Sequence, residues 1–245
     1  ESLDEGRFCK YHASKQSLKD HNKNENQVFC DLIKSDSYIL GAQFEQVSLS
    51  GQELDLDPYT TYKILSPYIC CFEYNNGKIN GEFKFMNAIL GDIKLEQCSI
   101  ESKISFSECR ITGRTEFIDS EWQRSFEVSD TKFEGPVYMN ETIFERGFDF
   151  SEFKMESDLC IHECTIKKEA LLKSTPALET VFITDSIVHG LDFHVTDFTT
   201  SLICLYDSTV IDGHLRQPYR DARPQSVIAK EESQSHLLQD RSDLS

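Results

Sequence analysis

Residues 109–155 read CRITGRTEFIDSEWQRSFEVSDTKFEGPVYMNETIFERGFDFSEFKM. Phe117, Val128, Met139 and Phe150 fall eleven apart, and Ile111, Trp122, Phe133, Phe144 and Met155 form a second series with the same spacing. Each member of the first series closes a pair of residues two apart: Thr115/Phe117, Phe126/Val128, Val137/Met139 and Phe148/Phe150, continued outside the stretch by Ile104/Phe106, Leu159/Ile161, Ala170/Leu172 and Val181/Ile183. Each member of the second series follows a small residue, as in Cys109/Ile111, Ser120/Trp122, Thr131/Phe133, Thr142/Phe144, Cys164/Ile166 and Ser186/Val188; only Phe153 is large at that slot.

Residues two apart share one face of an extended chain. A flat strand would continue the alternation, whereas here it stops after two inward residues and restarts five or six later, so the chain turns a corner between pairs. Polar residues and Gly occupy those corners. Four short sides close one coil of roughly 20 to 22 residues, and stacked coils rise by one strand spacing, ~4.8 Å. Upstream the interval shortens to five (Phe83/Phe85, Ala88/Leu90, Ile93/Leu95, Cys98/Ile100), and downstream Leu191/Phe193, Thr196/Phe198, Ile203/Leu205 and Ser208/Val210 continue it with slips. The reading is an all-β, four-sided parallel β-helix, a solenoid in which successive coils pair backbone to backbone.

Units such as AILGD, IKLEQ and CSIES resemble those of the pentapeptide-repeat proteins, whose five-residue unit places a small residue at one inward position and Leu or Phe two later. The resemblance implies a right-handed helix. Most intervals here are five plus six, and the central residue is more often Phe, Ile or Val than Leu.

Four regions are expected: an N-terminal cap over 1–41, an irregular first coil with an insertion over 42–80, the β-helix over 81–215, and a linker with a C-terminal helix over 216–245. In the cap, FCDLIKSD reads as a short amphipathic element. DPYTTYKILSPYICCFEYNNGKIN (57–80) breaks the register with prolines and aromatics. In 226–241, Val227, Ile228, Leu237 and Leu238 sit at positions compatible with a helix that would cap the last coil or join a second subunit as a homodimer.

Charge narrows the function. The chain of 245 residues has 42 Asp+Glu against 25 Lys+Arg, net −17, which disfavours direct contact with nucleic-acid phosphates and suits a protein partner with a basic surface. From 82 to 215 there are 25 acids and 12 Lys+Arg, a net of −13, so most of the excess belongs to the repeat. No run approaches the ~18 apolar residues of a membrane span, the start ESLDEGRFCK lacks a signal-peptide core, and nine irregularly spaced cysteines do not form a disulfide framework. A cytoplasmic protein without a membrane segment is expected.

Chemistry is sparse. No phosphate-binding Gly loop or nucleophile elbow occurs, so neither catalytic nor cofactor-binding residues are assigned and a non-enzymatic role is expected. In CIHEC the register turns Cys160 and His162 outward and Cys164 inward, so the three cannot converge on a metal. Cys9 and His12, with His21 and Cys30, have no recognisable four-ligand spacing. No metal is assigned.

The candidate binding residues are acids. One repeat position reads Glu108, Asp119, Asp130, Glu141, Glu152, Glu163, Ser174, Asp185. With two eleven-residue units per coil it splits into the columns Asp119, Glu141, Glu163, Asp185 and Glu108, Asp130, Glu152. The stretch 174–215 has six acids and no Lys or Arg, which adds Asp192, Asp197, Asp207 and Asp212 as outward candidates. The expected function is an acidic β-helical scaffold or adaptor. Because some pentapeptide-repeat proteins resemble DNA and bind type II topoisomerases, the alternative is a DNA mimic acting on such an enzyme.

Overall fold

The computed structural model describes residues 25–35, 38–50, 53–54, 60–174, 180–195, 202–216 and 227–229. Parallel strands dominate, and each coil of the solenoid has four faces. In one coil these are Ile104–Ser107, Arg110–Ile111, Thr115–Ile118 and Glu121–Trp122, the first to fourth faces. The next coil repeats them at Phe126–Ser129, Lys132–Phe133, Val137–Asn140 and Ile143–Phe144, each strand lying parallel on its predecessor. Pairing advances by 21 residues from Tyr62 to Phe83 and from Phe83 to Ile104, then by 22 from Ile104 to Phe126.

Two corners of each coil share one backbone conformation. Ser66, Asn87, Glu108, Asp130 and Glu152, between the first and second faces, have φ of 46 to 57°. Asn76, Gln97, Asp119, Glu141, Glu163, Asp185 and Asp207, between the third and fourth, have φ of 45 to 54°. This left-handed residue turns the chain and delivers its successor inward. That successor is the small slot, and its backbone N–H faces the coil above. Cys98 N donates to Ser120 Oγ (3.1 Å), Cys109 N to Thr131 Oγ1 (3.3 Å), Cys164 N to Ser186 Oγ (3.0 Å) and Ser186 N to Ser208 Oγ (3.2 Å). Ser120, Thr131, Ser186 and Ser208 thus each satisfy a buried donor of the coil below.

This accounts for the segment the sequence reading set aside. Residues 60–79 form a regular coil with Tyr62, Ile64, Ile69, Phe72, Tyr74 and Ile79 buried. Pro67 occupies the small slot beneath Ala88, which offers no hydroxyl, so the N–H that proline lacks would have had no acceptor there. Tyr74 takes the place of Leu95, and its hydroxyl donates to Lys78 O at 2.8 Å. Phe153, the large slot residue, lies at a shift in strand register opposite Ser174 and packs on the Phe150 ring at 5.4 Å. At the far end Val227–Ala229, assigned from sequence to the start of a helix, pair instead with Ile203–Leu205 as a further strand. The rest of the expected C-terminal helix and the segment 217–226 lie outside the described residues.

The interior is an aromatic stack. Phe85, Phe106, Phe126 and Phe150 follow one another at 5.1, 5.8 and 5.4 Å. Trp122, the sole tryptophan, packs on Phe117, Phe126 and Phe144, and its buried indole N–H has no hydrogen-bond acceptor.

Helix α1, Glu25–Ser35, covers the first coil. Its apolar side, Phe29, Cys30, Leu32 and Ile33, is buried, and the Phe29 ring meets Phe44 at 5.6 Å and Phe72 at 5.7 Å. Its first residues also satisfy the open strand edge: Gln46 N donates to Glu25 Oε2 (2.8 Å) and Ser48 N to Asn26 Oδ1 (2.7 Å). An uncovered edge would be a template for other chains. Residues 1–24, with Cys9, His12 and His21, lie outside the described residues.

Two outcomes follow from this packing. Phe29→Ala should destabilise the fold by about 3–5 kcal/mol in urea denaturation followed by Trp122 fluorescence, since it empties the junction of helix and first coil. Burial pushes the slot thiols Cys98, Cys109 and Cys164 up to about 11. Their folded values lie above the ordinary one, so their contribution is complete below about pH 9 and is lost as pH rises through about 11. The melting temperature should fall across that window, and less steeply when all three are Ser, which other slots already carry.

Candidate functional site

The corner between the third and fourth faces aligns Asp119, Glu141, Glu163, Asp185 and Asp207, one per coil at ~4.8 Å spacing. The register follows the neighbouring strands, where Asn140 pairs with His162, His162 with Thr184 and Thr184 with Tyr206. The backbone N–H of four of these corner residues donates to the coil above: Asp119 to Asn140 O, Glu141 to His162 O, Glu163 to Thr184 O and Asp185 to Tyr206 O, all at 3.0 Å. The backbone therefore holds the side chains in line along a ridge.

The ridge differs from the ion-paired acids of the surface in what surrounds it. Lys or Arg pairs with Glu96, Glu101, Glu116, Glu127, Glu134, Glu145 and Glu156, and Lys173 stands 4.0 Å from Glu152 of the diagonal corner. On the second face Arg110, Lys132, Glu134 and Glu156 form a continuous network, and its hydrogen bonds from Arg110 and Lys132 hold the Glu134 carboxyl below the usual carboxylate range. Among the described residues no Lys or Arg pairs with the five ridge acids. Their neighbours are neutral amides and one imidazole: Gln97 Nε2 donates to Asp119 (3.3 Å), Asn140 Nδ2 donates to Glu141 (3.1 Å), and His162 lies 3.6 Å from Glu163 and 3.5 Å from Asp185.

The candidates from sequence thus divide. Asp119, Glu141, Glu163, Asp185 and Asp207 come together on the ridge. Asp192 does not belong to an outward acidic surface: it sits on the first face at 7% exposure, between Leu171 and His214 in the ladder, with His194 Nε2 at 2.9 Å. Asp212 is exposed at the approach to the first face beside His214, away from the ridge. Asp197 lies outside the described residues. The CIHEC segment places Cys164 inside and Cys160 and His162 outside, and no group of three potential metal ligands occurs among the described residues. Cys30 is buried on α1.

The sequence reading missed the apolar border of the ridge. On the fourth face the outward column two residues past the acids runs Ile143, Thr165, Ile187, Thr209, and Ile211 follows in the next outward column. Ile143, Ile187 and Ile211 are exposed by 38%, 47% and 51%, as is Tyr206 by 43% on the third-face side. Farther across the third face, Tyr138, Cys160, Phe182 and Cys204 form a half-buried outward column. The signal was present in the spacing, as a β-branched residue two positions after each acid from Glu141 onward.

No family model, curated protein or solved structure matches the chain. No helix among the described residues is long and apolar enough to cross a membrane.

The left-handed corner accounts for Asn and Asp, whose short side chains tolerate it, but not for Glu. Glu141→Asn and Glu163→Asn are therefore expected to leave thermal stability unchanged or raise it by up to about 1 kcal/mol, read by urea denaturation. A loss comparable to a core mutation would show that the carboxylates serve the fold.

Proposed function

We propose that the protein is a non-enzymatic interaction module whose acidic ridge, Asp119 to Asp207, binds a protein partner through a basic surface. The observation that carries this reading is the line of five carboxylates, one per coil, that has no Lys or Arg partner among the described residues, whereas Glu134, Glu145 and Glu156 are ion-paired. Like charges at one coil spacing repel, and a cationic partner relieves that repulsion. The resemblance of units such as AILGD and CSIES to pentapeptide repeats is part of the same reading, since a solenoid offers long ordered faces for macromolecules. A duplex mimic is less well supported: the two acidic columns occupy diagonal corners and face opposite ways, so a partner approaching from one side meets a single line of charge.

The test neutralises the ridge. A variant carrying Asp119→Asn, Glu141→Gln, Glu163→Gln, Asp185→Asn and Asp207→Asn should fold, because Asn76 and Gln97 already hold the same corner. At low salt it should bind a deca-lysine peptide about tenfold or more weaker than wild type, while a Glu134→Gln/Glu156→Gln control changes little. Equal loss in both variants would remove the ridge as the site. Salt-sensitive inhibition of type II topoisomerase supercoiling, abolished by the ridge variant, would favour the mimic instead.

A further inference from the structure

We infer that the ridge and the fourth face together receive a cationic amphipathic α-helix lying parallel to the solenoid axis, an inference that rests on the ridge being the binding site. Two independent features meet along one line. The first is the row of carboxylates without Lys or Arg partners among the described residues. The second is the strip of exposed Ile143, half-buried Thr165, exposed Ile187 and Thr209 with exposed Ile211 beside it, whose isoleucines nothing among the described residues covers. Such a strip beside a charged border is a surface for a partner that is apolar on one side and charged next to it.

Repeat lengths select the partner's conformation. The carboxylates recur at ~4.8 Å per coil, and an α-helix brings residues back to one side every ~5.4 Å, so a Lys or Arg on each successive turn drifts from the ridge by only ~0.6 Å per coil. Over the four intervals from Asp119 to Asp207 the drift is ~2.4 Å, within the reach of flexible Lys side chains. An extended strand repeats its face every ~6.8 Å and loses register by ~2 Å at each step. The flanking chemistry agrees with the helix. Leu or Ile on its adjoining stripe would rest on Ile143 and Ile187, and its far edge would meet the outward column Glu145, Lys167, His189, Ile211, where Lys167 already pairs with Glu145. A second copy of this chain is a poor occupant, because it would set one acidic ridge against another.

The experiment compares two synthetic peptides of about eighteen residues and equal composition. One places Lys once per turn along one stripe with Leu on the adjoining stripe; the other scrambles them. Wild type should bind the ordered peptide about tenfold tighter than the scrambled one, with a gain of helical circular dichroism on mixing. Ile143→Ser/Ile187→Ser/Ile211→Ser, three exposed changes, should erase that preference while leaving salt-sensitive deca-lysine binding intact. Equal binding of both peptides to wild type, or a preference unaffected by the three Ser substitutions, overturns the helix and leaves the ridge reading standing. Neutralised ridge acids with no effect on either peptide would remove both. Self-association of the free protein, detected by sedimentation and abolished by the same Ser substitutions, would assign the strip to a second copy and also overturn the proposal.

Discussion

The left-handed corner residue is the constraint on which the rest of the molecule depends. A φ near +50°, recurring at two corners of the coils from Ser66 to Glu163, folds a run of two-residue inward alternations into a four-sided path instead of a flat strand. It forces the next residue inward where the chain has just turned, so that residue is small, and it leaves a buried N–H there that the next coil answers with a hydroxyl. Cys98 to Ser120 and Cys164 to Ser186 are two instances of that handshake. Small slots leave the coil interior to be filled from the strand centres, which is why the core is a stack of Phe rings around one Trp.

The same corner separates what the fold requires from what it does not. In the early coils the position holds Ser66, Asn76, Asn87 and Gln97; from Glu108 onward every corner of this type among the described residues is Asp or Glu. Backbone strain explains a preference for Asn and Asp over most residues. It gives no reason for the change from neutral to charged, nor for four glutamates, whose longer side chains gain nothing from a left-handed turn. Several acids elsewhere on the surface are met by cations, as Arg110 of the coil below and Lys132 of the same coil meet Glu134. The ridge received amides and one histidine, so ion pairing within the described fold does not account for its line of charge.

Much of this was legible in the residues alone, because a solenoid writes its tertiary contacts as a sequence period. The eleven-residue spacing placed Phe117, Trp122 and Phe133 inside and Glu141 and Glu163 at one corner without knowledge of any contact. The period failed where a side chain's role depended on its neighbour one coil away. Pro67 looked like a break until Ala88 stood above it, and Asp192 looked like a surface acid until Leu171, His194 and His214 closed around it. Val227 and Ile228 read as apolar positions of a helix because a three-residue strand has too few residues to declare its period. The apolar border of the ridge was missed for another reason: outward Ile143 and Ile187 are unremarkable singly, and only the stacking of coils makes them a strip.

Rigidity then decides what such a strip can discriminate. Asp119, Glu141, Glu163 and Asp185 are each tied to the coil above through the backbone N–H, so these carboxylates cannot slide to suit a partner whose charges recur at another interval. A flexible acidic tail of the same charge would accept any cationic chain and would spend ordering entropy to do so. The solenoid has already ordered its charges in folding. Its attraction for cations in general is therefore shared with every acidic protein, whereas its discrimination among them resides in a repeat of one strand spacing and in which side of the charge line is apolar.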